Sequence, residues 1–193
     1  MRKLMLNIQA YRTVATGLAP VVLLLAVWQA RSAAASLAEI IAGTVLVGAG
    51  SGLRLWAAGH MGAKGEDLAA TGPYAHTRNP LYMGTIIAGL GFCLASGLWW
   101  SYILIFSLFT LFYIPTIISE ERLMAERHGE TYRDYARHVP RFSWRIASHV
   151  QSGAFSFGRA VMHKEHLVAP QLLILLALFW LRLFISGAPL GRA

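Results

Sequence analysis

Five apolar stretches divide this chain, near residues 13–30, 37–61, 81–97, 99–119 and 167–186, with short polar or basic connections between them. Each is close to the roughly 20 residues that a helix needs to cross a bilayer. In lipid a backbone must satisfy its own hydrogen bonds, so an isolated stretch of this length folds as a helix. The pattern predicts an all-α, polytopic membrane protein with about five transmembrane helices in a single domain over residues 1–193. Composition agrees: 13% of the residues are charged, where a soluble domain carries about 25%. A net charge of +8 would suggest nucleic acid in a soluble chain. Here the basic residues cluster between apolar segments, as cytoplasmic loops do, so the expected partners are membrane lipids and not nucleic acid.

Orientation follows from the same residues. The N-terminus, the central loop and the 120–166 segment hold nearly all Lys and Arg, whereas the connections at 31–36 and 97–100 hold Arg31 alone. With five spans, these basic parts share one side, which predicts a cytoplasmic N-terminus and an outward C-terminus. Arg2, Lys3 and Arg12 precede the first apolar run and mimic a signal peptide. Four more apolar stretches follow, so a retained first span, near Thr13–Ala30, is expected. Residues 1–12 read as an interfacial lead-in.

The second span, near Leu37–Met61, holds Gly48 and Gly52, whose spacing fits close helix packing. Arg54 lies inside it and reads either as snorkelling to headgroups or as a cavity-facing cation. His60 reads as an interface anchor, and Cys93 as a buried, inert thiol. The third span, Leu81–Gly97, and the fourth, Trp99–Ser119, are joined by a very tight turn and form a helical hairpin, with Trp99 and Trp100 at an interface.

The long polar interval from Gly65 to Gly84 carries the chemistry. It turns at Gly72-Pro73, presents Tyr74, His76, Arg78 and Asn79, and enters the third span through Pro80-Leu81-Tyr82. Proline suits the first turn of a helix, so this run sits at a helix N-terminus, where unpaired N–H groups and the helix dipole favour an anion. Antiparallel packing of the hairpin brings Arg78–Tyr82 beside Glu120-Glu121 at the end of the fourth span. Beyond it, a polar helix runs to Gly129, and Thr131-x-x-Asp134 has the form of a capping box. Tyr132 and Tyr135 share one face and either pack on the hairpin or help to cover a site. Arg133, Arg137, Arg141 and Arg145 are expected to meet lipid headgroups. His163 and His166, three apart without a third ligand, read as a solvated turn, and no metal is expected.

Gly72-Pro73-Tyr74, Arg78-Asn79-Pro80-Leu81-Tyr82-Met83-Gly84, Glu120-Glu121 and His128-Gly129 with Tyr132 and Tyr135, in this order and spacing, resemble the isoprenylcysteine carboxyl methyltransferase family. The related phospholipid methyltransferases share the Glu-Glu pair, and their Gly-x-Gly resembles Gly89-Leu90-Gly91. The likeness covers about residues 60–142; the apolar segment 167–186 lies beyond it. It implies a membrane-embedded S-adenosylmethionine-dependent methyltransferase, with the cofactor at the cytoplasmic face and a lipophilic acceptor, a prenylated carboxylate or a lipid amine. By position, it implies cofactor binding by Glu66, Asp67, Leu68, Ala69, Tyr74, Asn79, Pro80, Leu81, Tyr82 and Glu120, and catalytic parts for Arg78, Glu120 and Glu121. Asn79 stands where the family usually has His. The substrate-side arginine of some members falls at Thr116. The residue types suit the chemistry: Glu120 can accept from an ammonium or ribose hydroxyls, the helix N-terminus with Arg78 can take a carboxylate, and Tyr74 or Tyr82 can face a sulfonium. An amine acceptor needs a base, for which Glu121 is nearest. Two rivals stand beside this: an NADPH-dependent reductase resembling the sterol reductases, and a non-enzymatic membrane protein whose polar clusters only hold the hairpin together.

Overall fold

A computed structural model of the chain describes residues 35–62, 68–146, 153–163 and 165–185. The expected lead-in and first span, and the site candidates Glu66 and Asp67, lie outside the described residues. The described secondary structure is helical throughout.

Helix α1 (Leu37–His60) starts at a capping box: the Ser36 hydroxyl accepts from the Glu39 N–H, and Glu39 accepts from the Ser36 N–H at 2.6 Å. These bonds satisfy two of the donors that a helix start leaves open. Helix α2 (Pro80–Ser96) begins with its proline and stops at Gly97, whose φ of 64° is the left-handed cap glycine favours. Ser96 and Ser101 close the turn: the Ser96 hydroxyl accepts from the Leu98 N–H, and the Ser101 hydroxyl donates to the Leu98 carbonyl. Helix α3 (Trp99–Leu108) then runs back along α2, as the hairpin predicts.

The return limb is a rod that runs on past Ser119 as a polar helix, as expected, up to the break at Gly129. A π turn over Phe109–Tyr113 joins α3 to α4 (Ile114–His138). Pro115 supplies the cause, since it has no N–H to give to the preceding turn and the ladder must widen. The apolar part of the rod ends at Ser119, and Glu120 opens a polar limb that bends at Gly129. A short helix α5 (Phe157–Met162) docks on the end of α1, with the Ser156 N–H donating to the Gly59 carbonyl at 3.0 Å. Helix α6 (Glu165–Ile185) returns along α1.

Among the described residues, two helices are long and apolar enough to cross a membrane: α1 and the continuous Trp99–His138. Helix α2, with 17 residues, is a shorter apolar helix.

The α1–α2 contact corrects the glycine expectation. Gly48 and Gly52 face open space; the packing residues are Gly43 and Gly50, opposite Gly91 and Gly84. A Cβ on Gly50 would lie 2.5 Å from the Gly84 carbonyl, and one on Gly91 would lie 2.6 Å from the Gly43 carbonyl. Both helices thus use a seven-residue glycine spacing, which keeps one face of each toward the other along this antiparallel pair. Gly91 of the Gly-x-Gly is a packing residue in this fold. A second core joins Val47, Ala88 and Phe92 to Leu172, Leu176 and Phe179 of α6. There the Trp180 indole N–H donates to the Thr44 hydroxyl at 3.0 Å, which satisfies the one polar group the ring brings in.

Candidate functional site

The two polar clusters meet where α2 begins and α4 turns polar. The Tyr82 hydroxyl donates to Glu120 at 2.7 Å. Arg78 and Asn79 donate to Glu121 at 3.2 and 3.1 Å. Tyr82 faces α4 because the π turn and Pro115 aim Tyr113 and Ile117 at it. The three form a buried cluster edged by Phe109, Phe112 and Phe142. Tyr82 and Tyr113 meet edge-on at 5.6 Å, and Phe109 stacks on Tyr113 at 5.2 Å. One wall of the site is therefore aromatic and the other is a pair of carboxylates.

Tyr74 sits in a 3-10 turn over Gly72–Ala75, and its carbonyl accepts from the Tyr135 hydroxyl at 2.8 Å. Tyr74, Asn79, Pro80 and Tyr82 are buried, whereas Leu68, Ala69 and Leu81 are half-buried. Asn79 gives its amide to Glu121 and to the Arg141 carbonyl, and leaves the start of α2 without a side-chain cap. Arg54 bends over Gly84 and donates to the Leu81 carbonyl and the Thr85 hydroxyl, so it grips the first turn of α2 from α1. Thr116 is buried and bonds the Phe112 carbonyl of its own helix.

A strap over residues 140–145 was not legible in the chain. It lies along the 76–78 segment through two backbone bonds: the Arg78 N–H donates to the Pro140 carbonyl at 2.9 Å, and the Arg145 N–H to the His76 carbonyl at 3.0 Å. The buried Thr77 hydroxyl donates to the Arg141 carbonyl. His76 stacks on Trp144 at 4.6 Å, and Trp144 reaches Trp56. Arg141, expected at headgroups, instead forks onto Glu121, with contacts from 2.6 to 3.1 Å. These bonds to Glu121 raise its guanidinium pKa further. Glu121 is only 12% exposed and takes five hydrogen bonds from three residues. Two donors in fork geometry are what a half-buried carboxylate requires to offset its desolvation.

The polar limb breaks at Gly129 as expected, with φ 55° and ψ −126°, and a second helical stretch follows to His138, in which Asp134 lies 3.7 Å from His138 Nδ1. His163 is pinned to the Gly62 carbonyl at 3.2 Å. Its turn is thus part of the clasp on α1, not a solvated one.

Residues 38–131 match the family model described as phospholipid methyltransferase. A stretch of 97 residues, 49% of this chain, is 37% identical to the nickel-cobalt-cadmium resistance protein NccN of Alcaligenes xylosoxydans xylosoxydans. The match spans 44% of that relative, less than half its length. No solved structure matches the chain significantly.

Proposed function

We infer the chemistry from one premise: through residues 38–131 this chain belongs to the phospholipid methyltransferases, relatives of the isoprenylcysteine carboxyl methyltransferases among membrane methyltransferases. The chain is a membrane methyltransferase in that general sense. We propose further that its methyl donor is S-adenosylmethionine, that the site faces the cytoplasm, and that the acceptor is a lipophilic carboxylate or a lipid amine. The observation that supports this is the pairing of Tyr82 with Glu120 beside an α2 N-terminus that no side chain caps. A carboxylate such as Glu120 can accept from an ammonium or from ribose hydroxyls. The start of α2 suits a carboxylate. The aromatic wall of Tyr82, Tyr113, Phe109 and Phe142 suits a sulfonium, which is drawn to ring faces. When bound, S-adenosylmethionine would supply a methyl group bonded to a positively charged sulfur and ready for in-line displacement.

The two glutamates take different parts. Glu121 is loaded by Arg78, Asn79 and Arg141 and fixes the Arg78–Asn79 turn. Glu120, which accepts the Tyr82 hydroxyl bond at the mouth of the aromatic wall, is the group assigned to touch the donor. For a carboxylate acceptor no base is required, and the site acts by positioning and by excluding water. For an amine acceptor the proton must leave first, and Glu120 is then the better-placed base.

Calorimetry of the purified protein with S-adenosylmethionine, S-adenosylhomocysteine and NADPH tests the donor. The expected result is binding of the first two and loss of both in Glu120→Gln, with the fold retained. Binding of NADPH alone would favour a reductase, and binding of none a structural role. For the orientation, cysteines at Trp99 and Arg137 should label from opposite sides of intact cells; equal labelling would refute it.

A further inference from the structure

Arg141 stands at the far end of an arm, residues 130–145, that leaves α4 at Gly129. There φ is 55° and ψ −126°, a backbone conformation that side chains with a Cβ avoid. A Cβ on Gly129 would meet nothing within 4 Å, so the bend faces open space on that side. The arm is held at its other end. The Tyr135 hydroxyl reaches the Tyr74 carbonyl, the Arg78 N–H and the Thr77 hydroxyl reach carbonyls of Pro140 and Arg141, and Phe142 enters the aromatic cluster beside Tyr82. The Arg141 guanidinium comes from the open side, 45% exposed, onto a Glu121 that is 12% exposed. The carboxylate is the fixed partner and the cation is the one that arrives.

A non-helical glycine bend that faces open space at one end and a charged clasp at the other describe a hinged arm with a latch. We propose that Arg141 is a positioning residue, acting through Glu121 on Arg78 and Asn79, and that the 130–145 arm swings about Gly129. The cluster is complete only when the arm is docked. Release would take the three Arg141 bonds from Glu121 and the Arg141 carbonyl from Asn79. It would also lift Phe142 off the aromatic wall and open Tyr82 to water. The hinge stands on the geometry alone; what it closes over rests on the methyl-donor site proposed above.

The test measures the arm directly. Spin labels at Arg122 and Arg137, on either side of Gly129, in a Cys93→Ala background report the bend by pulsed dipolar distances. A straight helix would separate these Cα atoms by about 22 Å at 1.5 Å per residue, and the docked bend brings them closer. The wild-type protein in detergent should show both populations. Gly129→Ala, which favours the straight helix, should move the distribution to the long distance. Arg141→Gln should do the same with the hinge intact, and Arg141→Lys should keep part of the short population. One short distance in the wild type and all three variants overturns the hinge, whatever the protein binds. S-adenosylhomocysteine should gather the wild type into the short distance and bind Arg141→Gln about tenfold more weakly or worse, the usual scale for a lost charged contact. Arm motion that this ligand leaves unchanged upholds the hinge and refutes the donor site. Undiminished affinity in Arg141→Gln, with the arm released, overturns Arg141 as a positioning residue.

Discussion

The Tyr82 hydroxyl donates to Glu120 across 2.7 Å and ties the first turn of α2 to the place where α4 turns from apolar to polar. The bond crosses 38 positions of sequence and aims one carboxylate past an aromatic wall. Tyr82→Phe keeps the ring packing and deletes this bond. A hydrogen bond to a charged group contributes roughly 1.5–3 kcal/mol. Affinity for S-adenosylhomocysteine should therefore fall about tenfold, with the thermal midpoint in detergent changed only slightly. Unaltered affinity by calorimetry would take Tyr82 out of the donor site.

Close approach of α1 and α2 rests on glycines that the helices can spare at some positions and not at others. Gly50→Ala puts a methyl group against the Gly84 backbone, and Gly84→Ala does so against Gly50 and Arg54. Overpacking of this kind costs about 1–3 kcal/mol. Gly48→Ala and Gly52→Ala meet open space and should be neutral or slightly stabilising, since alanine is the better helix former. Thermal unfolding of the four variants should split them into these two pairs.

That split also shows where the sequence was legible. Helix ends were visible because Pro80 and Gly97 have fixed backbone meanings, and α2 falls within one residue of its expected limits. The approach of Arg78–Tyr82 to the Glu120-Glu121 pair followed from the tight turn at Gly97, which leaves a hairpin little choice. Which glycines pack did not follow. Gly43, Gly48, Gly50 and Gly52 are equivalent in spacing rules, and only the crossing with α2 selects two of them. The strap was also hidden. Residues 140–145 have no periodic pattern, and Arg141 is indistinguishable in sequence from Arg133 and Arg137. Its role is created by Thr77 and Asn79, more than sixty positions away, which bind its carbonyl. The π turn was hidden too, since its aim of Tyr113 at Tyr82 depends on α3 continuing into α4.

Alkaline pH should loosen the arm before the membrane helices. Tyr132 and Tyr135 lie beyond the apolar part of the rod, and burial pushes both phenols up. For Tyr132 the charge of Glu121 adds to the effect. The folded state then keeps protons that the unfolded state releases above about pH 10. Their contribution is intact below that pH and is lost as pH rises toward the raised folded values. The thermal midpoint should be flat between about pH 7 and 9 and fall above about 10. In Tyr132→Phe with Tyr135→Phe the fall should be shallower. An equal fall in the double variant would assign the alkaline sensitivity to other groups.

The acceptor is expected to arrive sideways from the bilayer. The proposed donor is charged and would come through the polar loops, the side on which the strap, His76 and Trp144 lie. The aromatic wall of Tyr113, Phe109 and Phe112 instead belongs to the α3–α4 rod, at the end of its apolar stretch, with Leu111 and Ile118 exposed beside it. A reactive headgroup whose chain stays in lipid can lie against that wall with its nucleophile near Glu120. Chain and headgroup then share the work of positioning, because apolar contact is retained while the head is placed. Arg54, bent onto the Leu81–Thr85 turn, puts a positive charge on the same first turn of α2, so an anionic headgroup should be favoured over a neutral one of equal chain length. The measurement compares acceptors with one reactive group, with and without a long alkyl or prenyl chain, in liposomes with labelled methyl donor. Catalytic efficiency should fall by at least an order of magnitude when the chain is removed, as the burial of several methylenes at about 0.8 kcal/mol each is lost. Equal efficiency for the short, water-soluble acceptor would rule out lateral entry, and the strap side would then be the route for both substrates.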